Sequence, residues 1–209
     1  MARNLLPSCR QCRRTGEKLF MKGVRCYSEK CAFERRKFAP GMQSGKRRSK
    51  LSDYGMQLNE KQKCKKMYGM MEAQFHRYYY IANKMAGVTG HNLLRLLEKR
   101  LDNALFRSGF AISRTQSRQF VRHGHVLING KRVNIPSYQI KTGDVLEIKT
   151  TFRQNENFKV LLEAGKSREI PGWLQVDFEN YKSKVLREPE RADIQGTINE
   201  NTIVEFYSK

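Results

Sequence analysis

The sequence is short of acid. Its 209 residues hold 20 Asp and Glu against 41 Lys and Arg, a formal charge of +21. A folded chain with that excess repels itself, and a polyanionic partner relieves the repulsion. Long apolar runs are absent, so no membrane-spanning helix is expected. Met1 to Pro7 carry only Leu5-Leu6 before polar residues resume, which is not a secretory leader. The expected setting is therefore cytoplasmic, where thiols stay reduced, and the five cysteines need a reason other than disulfides. No Ser/His/Asp arrangement, phosphate-cradling glycine loop or paired-carboxylate setting stands out. Only 60 residues follow Lys149, too few for a separate catalytic domain. The chain reads as a binding protein and not an enzyme.

What is present is unevenly placed. Residues 1–50 hold 15 basic and 3 acidic side chains, whereas residues 151–209 hold 9 and 10. The first three-quarters therefore look like the polyanion-binding part, and the last quarter like scaffold or a protein-facing surface. Within the basic start, the spacing Cys9-x2-Cys12, thirteen residues, Cys26-x4-Cys31 supplies two tight thiol pairs, enough to close a structural tetrahedral zinc site. Scattered structural thiols and a redox Cys-x-x-Cys are the rivals. The former sit among apolar neighbours, but these sit among Arg10, Arg13, Arg14, Arg25 and Lys30; the latter would want a βαβ setting that is missing. Cys64, in Lys63-Cys64-Lys65-Lys66, reads as an ordinary helix residue. A basic linker follows the thiols, with Lys46, Arg47, Arg48 and Lys50 as candidate RNA contacts.

From Ser52 the periodicity turns helical. One helix is expected to about Tyr68, and a second over 72–85 with Phe75, Tyr78, Tyr79 and Ala82 on one face. A third is expected from Thr89 to a stop at Gly109. Lys61, Lys65 and Lys66 on the first of these, with Arg13 and Arg14 upstream, are further candidate RNA contacts. Ser113 to Gln116 has capping-box spacing and opens a helix ending at Gly124. Asn129-Gly130 predicts a type I′ hairpin between strands at 125–128 and 131–135, and a third strand is expected at 145–149. Arg114, Arg118 and Arg122 recur at i, i+4 and i+8, with Gln116 and Gln119 beside them; His123, His125, Lys131 and Arg132 follow. Guanidinium forks match phosphate oxygens, and amides can reach bases or sugars. The bland alternative is a solvated helix face. A zinc-containing DNA regulator is a second rival, which would have to read a duplex major groove. Residues 157–164 are expected to be a short helix, and Ile203 to Tyr207 an ordered segment of open type.

The run Arg100-Leu101-Asp102-Asn103, Gly109-Phe110-Ala111, Ser113 to Gln119, His123-Gly124-His125, Asn129-Gly130-Lys131, Pro136-Ser137-Tyr138 and Gly143-Asp144 resembles the RNA-binding module named after the fourth small-subunit ribosomal protein. Leu51 to Gly55, Glu60 to Lys63, Gly87 to Gly90, and Asn199 to Ser208 resemble the bacterial ribosomal protein S-four family itself, and the opening Cys spacing resembles its zinc-binding form. The resemblance implies an α+β fold: a zinc-binding region (1–45), a basic linker and helical body (46–98), an RNA-binding module of two helices and a small antiparallel sheet (99–165), and a C-terminal segment (166–209) returning to the body. It implies a structural constituent of the small ribosomal subunit that binds the 5′ domain of its RNA early in assembly. It further implies contacts with ribosomal proteins S-five and S-three, an influence on decoding accuracy, a place by the messenger RNA entry path, and a structural Zn2+ on Cys9, Cys12, Cys26 and Cys31.

Overall fold

The computed structural model describes residues 6–41, 50–194 and 196–208. The chain divides into two compact units, one of Met1–Leu93 with Gly196–Lys209 and one of Leu94–Gln195.

The first unit is helical. It holds α1 (Ser8–Thr15), a 3-10 turn (Gly23–Cys26), α2 (Ala32–Arg35), α3 (Asp53–Met67) and α4 (Glu72–Lys84), with the start of α5 (Thr89–Glu98). The hydroxyl of Ser52 accepts from the Gly55 amide at 3.2 Å and caps α3, and Asp53 complements the dipole of its first turn. Phe75, Tyr78, Tyr79 and Ala82 form the buried face of α4, as their spacing predicts. The last helix of the chain, Glu200–Tyr207, belongs here and packs on α3. Tyr207 stacks on Tyr79 with ring centroids 4.6 Å apart, and its hydroxyl donates to Glu72 at 2.8 Å.

The second unit pairs α6 (Leu101–Arg107) with α7 (Arg114–Arg122) against a sheet. Its strands are β1 (Val126–Ile128), β2 (Lys131–Arg132), β3 (Val145–Ile148), β4 (Leu174–Asp177) and β5 (Lys182–Val185). Between β3 and β4 lie α8 (Thr150–Arg153) and α9 (Glu156–Lys166), which leaves α10 for Glu200–Tyr207. The strand order is β2-β1-β3-β5-β4, every pair antiparallel. Asn129 and Gly130 both take positive φ, 50° and 78°, the pair of angles a type I′ hairpin demands. One apolar core runs from Leu101 and Leu105 through Val121, Val126 and Leu146 to Trp173 and Val185.

Three expectations change. The strand foreseen at 131–135 is only Lys131–Arg132. The helix foreseen from Thr89 to Gly109 is broken at Lys99-Arg100, because residues 138–140 hydrogen-bond into the gap: the Ile140 amide donates to the Lys99 carbonyl at 3.0 Å and the Leu101 amide to the Tyr138 carbonyl at 2.9 Å. The module also runs past residue 165. β5 alternates buried Ser183 and Val185 with exposed lysines, and its pairing with β3 and β4 extends the sheet. Residues 166–194 therefore complete the second unit, and the return to the first begins only at Gly196.

Candidate nucleic-acid interface

Carboxylates decide which cations stay on the surface. On α3, Lys61 and Lys65 both reach Glu72, at 2.6 and 2.7 Å, and the Lys61 ammonium lies 4.6 Å from the centre of the Phe206 ring. Both were expected to meet RNA; they instead tie α3 to the start of α4, and Lys61 is buried. Lys66 is half-buried, and burial, then Lys65 and Arg14, push its ammonium below the ordinary value. Arg13 donates to the Phe38 carbonyl at 2.9 Å, while Arg14 and Lys50 are exposed. Lys46, Arg47 and Arg48 lie outside the described residues.

The arginine stripe of α7 divides in the same way. Arg118 is buried and donates to Asp102 at 3.2 Å, and the same carboxylate takes two bonds from the fully buried Arg100, at 3.0 and 2.7 Å. Arg118 was expected to face phosphate; Asp102, sixteen positions upstream in α6, claims it instead. Arg114 donates to the Asn103 side chain at 2.7 Å and lies over the Phe106 ring. Gln116 accepts from the Ile112 amide at 2.9 Å, so its amide helps cap the helix. Gln119, Arg122 and His123 are exposed.

The exposed cations gather where α7 ends. Gly124 has φ +71°, and an added Cβ there would come within 2.0 Å of the Arg132 Nε, so the missing side chain is what lets Arg132 lie across the helix terminus. Arg132 also donates to the His123 carbonyl at 3.4 Å. His125 stacks on Phe152 with centroids 4.0 Å apart. Burial first, then the charges of His123, Lys149 and Arg132, hold its imidazole below the ordinary histidine value. His123, His125, Arg132 and Lys149 thus come together where α7 ends, with Arg122 the last residue of that helix, while Lys131 is exposed beside the hairpin turn. Sequence periodicity missed Lys149 and Phe152; the signal was the pairing of β3 with β1, which carries the chain back to His125, where the Lys149 amide donates to the His125 carbonyl at 2.9 Å.

This set of cations on a helix-and-sheet module can hold phosphates, and the comparisons say in which kind of protein. Residues 3–98 match the model described as "Ribosomal protein S4/S9 N-terminal domain", and residues 99–146 match the S4 domain. The chain is 56% identical to "Small ribosomal subunit protein uS4" of Desulfotalea psychrophila and 52% identical to that of Nitrosospira multiformis, each over 209 residues and all of both chains. It is 54% identical, over the same span, to "Small ribosomal subunit protein uS4A" of Clostridium novyi. The chain belongs to the uS4 family. That family is a structural one without catalysis, and the S4 domain match covers the helices and hairpin that assemble the cation cluster.

The four N-terminal thiols sit on α1, on the 3-10 turn and at the start of α2. The Lys22 amide donates to the Cys26 sulfur at 3.3 Å, and the Leu19 amide donates to that of Cys12. Burial pushes the Cys12 thiol up, and Cys26, Cys9 and Cys31 add to the effect, so the four feel one another electrostatically. The donor chemistry suits zinc, although among the described residues no three such side chains close into a metal-binding set. Cys64 lies within α3, an ordinary helix residue as expected, and is fully buried.

Proposed function

We propose that the chain is a structural constituent of the small ribosomal subunit that binds ribosomal RNA. Full-length identity above half to proteins carrying that name is the observation that carries the reading. The charge of +21 and the cation cluster at the end of α7 supply the chemistry. Crosslinking in cells followed by identification of the bound transcript tests it: small-subunit ribosomal RNA should dominate, and a spread of messenger or transfer RNA would reject it.

The finer reading follows the family resemblance. The chain binds the 5′ domain of that RNA early in assembly, meets proteins S-five and S-three, and lies by the messenger RNA entry path through its basic linker. The helix α10, fastened to α3, supports the face toward S-five, so its loss should disturb decoding accuracy more than RNA affinity. One structural zinc is held by Cys9, Cys12, Cys26 and Cys31. The two amide-to-sulfur bonds support this, because they stabilise thiolates. Bound there, zinc would cross-link the N-terminal region. Elemental analysis of the native protein should find one zinc per chain, lost in Cys12→Ser; none would end the assignment.

A further inference from the structure

The N-terminal region carries a pair of aromatic rings that its own packing does not explain. Phe20 and Tyr27 stack with centroids 5.0 Å apart and planes inclined by 28°. Tyr27 is 70% exposed, so Phe20 covers one face of its ring and the other stands open. Phe20 holds its place at φ +49°, a left-handed backbone that a bulky L-residue rarely adopts. The turn beneath is stapled. Besides the Lys22 amide on the Cys26 sulfur, the Tyr27 amide donates to the Val24 carbonyl at 3.0 Å, the Ser28 hydroxyl to the Arg25 carbonyl at 3.2 Å, the Cys31 amide to the Ser28 carbonyl at 3.0 Å, and Arg25 Nε to the Lys30 carbonyl at 3.3 Å. An exposed ring held this firmly loses little freedom when something stacks on it.

The surrounding charge says what that something is. Between residues 18 and 33 the cations are Lys18, Lys22, Arg25 and Lys30, and the sole carboxylate is Glu29. Lys18 is paired with Glu34 at 2.6 Å, which leaves Lys22, Arg25 and Lys30, all exposed and close to Tyr27 in sequence. A protein partner would need acids to match them. A nucleotide offers a flat base for the ring and a phosphate for the cations, the combination that platforms for unpaired bases use.

We propose that Tyr27, braced by Phe20 and flanked by Lys22, Arg25 and Lys30, is a stacking platform for one unpaired base of ribosomal RNA, distinct from the cluster at the end of α7. The proposal rests on the RNA reading above and adds a second point of attachment in the other unit. Base stacking carries no charge, so it should contribute affinity without contributing salt dependence.

The test is binding of the full-length chain to full-length small-subunit ribosomal RNA over a salt series, with Tyr27→Ala and Tyr27→Phe compared with wild type. Tyr27→Ala should bind about tenfold more weakly with an unchanged slope of log affinity against log salt. Tyr27→Phe keeps the ring and should match wild type, which also shows that the turn tolerates substitution. Ultraviolet crosslinking should place a nucleotide adduct on the peptide containing Tyr27. Unchanged affinity in Tyr27→Ala, or equal losses in both variants, would overturn the platform. Failure of the wild-type chain to bind this RNA at all would instead overturn the RNA reading on which the platform rests.

Discussion

Arg118 and Arg132 are both basic residues of one module, fourteen positions apart, and they do opposite things. Arg118 turns inward to Asp102 in a buried set with Arg100; Arg132 lies on the outside across Gly124. The first unit repeats the contrast with lysines. Lys61 and Lys65 are held by Glu72, and Lys63 reaches Glu17 and Glu60 at 3.0 and 3.3 Å, while Arg14 and Lys50 stay exposed. In a chain this rich in cations the scarce carboxylates are the informative residues. Asp102 and Glu72 draw nearby arginines and lysines away from the surface and use them to join elements. What remains outside is the set available to a polyanion.

The sharpest way to break that contrast is to remove one such carboxylate. Asp102→Ala strips a partner from two buried guanidiniums, and breaking a buried ion pair in this way costs about 3–5 kcal/mol. Urea denaturation should show the second unit losing most of its stability, with a lower midpoint and an unchanged slope. A loss below about 1 kcal/mol would mean that Arg100 and Arg118 do not depend on Asp102.

Arg132→Ala should give the complementary result. Folding stability should move by no more than about 0.5 kcal/mol, as surface changes do. The slope of log RNA affinity against log salt should shrink by about 0.7–0.9, the value of one phosphate contact. Arg118→Ala should show the reverse, a destabilised fold with the salt slope intact in whatever fraction remains folded. If the two variants behaved alike, burial would not be what separates structural from RNA-facing cations here.

The same contrast can be sharpened in the first unit by pH. Burial pushes the Glu72 carboxyl up, but bonds from Lys61, Lys65 and Tyr207 more than offset it and hold it at about 2. A carboxyl lowered on folding stabilises the fold above its unfolded value of 4.5, and that contribution is lost as pH falls toward 2. Glu72 is partly exposed, so the effect should be modest, about 1 kcal/mol. In acid titration followed by aromatic circular dichroism, wild type should loosen α10 between about pH 4.5 and 2, and Glu72→Gln should have lost that step. An identical acid profile in both would remove Glu72 as the clasp between α10 and α4.

These tests also mark where sequence reading ended. The helix face Phe75-Tyr78-Tyr79-Ala82, the Ser52 cap and the Asn129-Gly130 turn were legible because each depends on residues within a few positions. The outward or inward sense of Arg118 was not, because it is set by Asp102 across the α6–α7 pair, and i, i+4 spacing says only that three arginines share a stripe. The break at Arg100 was hidden for the same reason: the leucine periodicity continues through it, and residues 138–140, far along the chain, supply the competing hydrogen bonds. The strands β4 and β5 were hard to read because each spans only four residues, half of them exposed. At the candidate interface, the residues named around the hairpin tip were found by adjacency in sequence, whereas Lys149 and Phe152 arrive through sheet pairing.

The smallest expected effect concerns His125, which stands between the two classes, stacked on Phe152 yet facing cations. Its imidazole is held below the ordinary value of 6.5 by burial first, and then by His123, Lys149 and Arg132. In the free protein it is therefore mostly neutral near neutral pH. A histidine lowered in this way favours the fold above the unfolded value, and that contribution fades as pH falls through the folded one. A phosphate brought to the cluster reverses the electrostatic part of the shift, so RNA binding near pH 6 should draw a fraction of a proton from solution and tighten as pH falls. Calorimetry in two buffers of different ionisation heat measures that uptake. His125→Phe keeps a ring against Phe152 and removes the titrating group, so the uptake should fall with little change in folding stability. No uptake in wild type would mean that RNA does not approach this end of the module. Uptake undiminished in His125→Phe would mean that His125 is not the group that takes the proton.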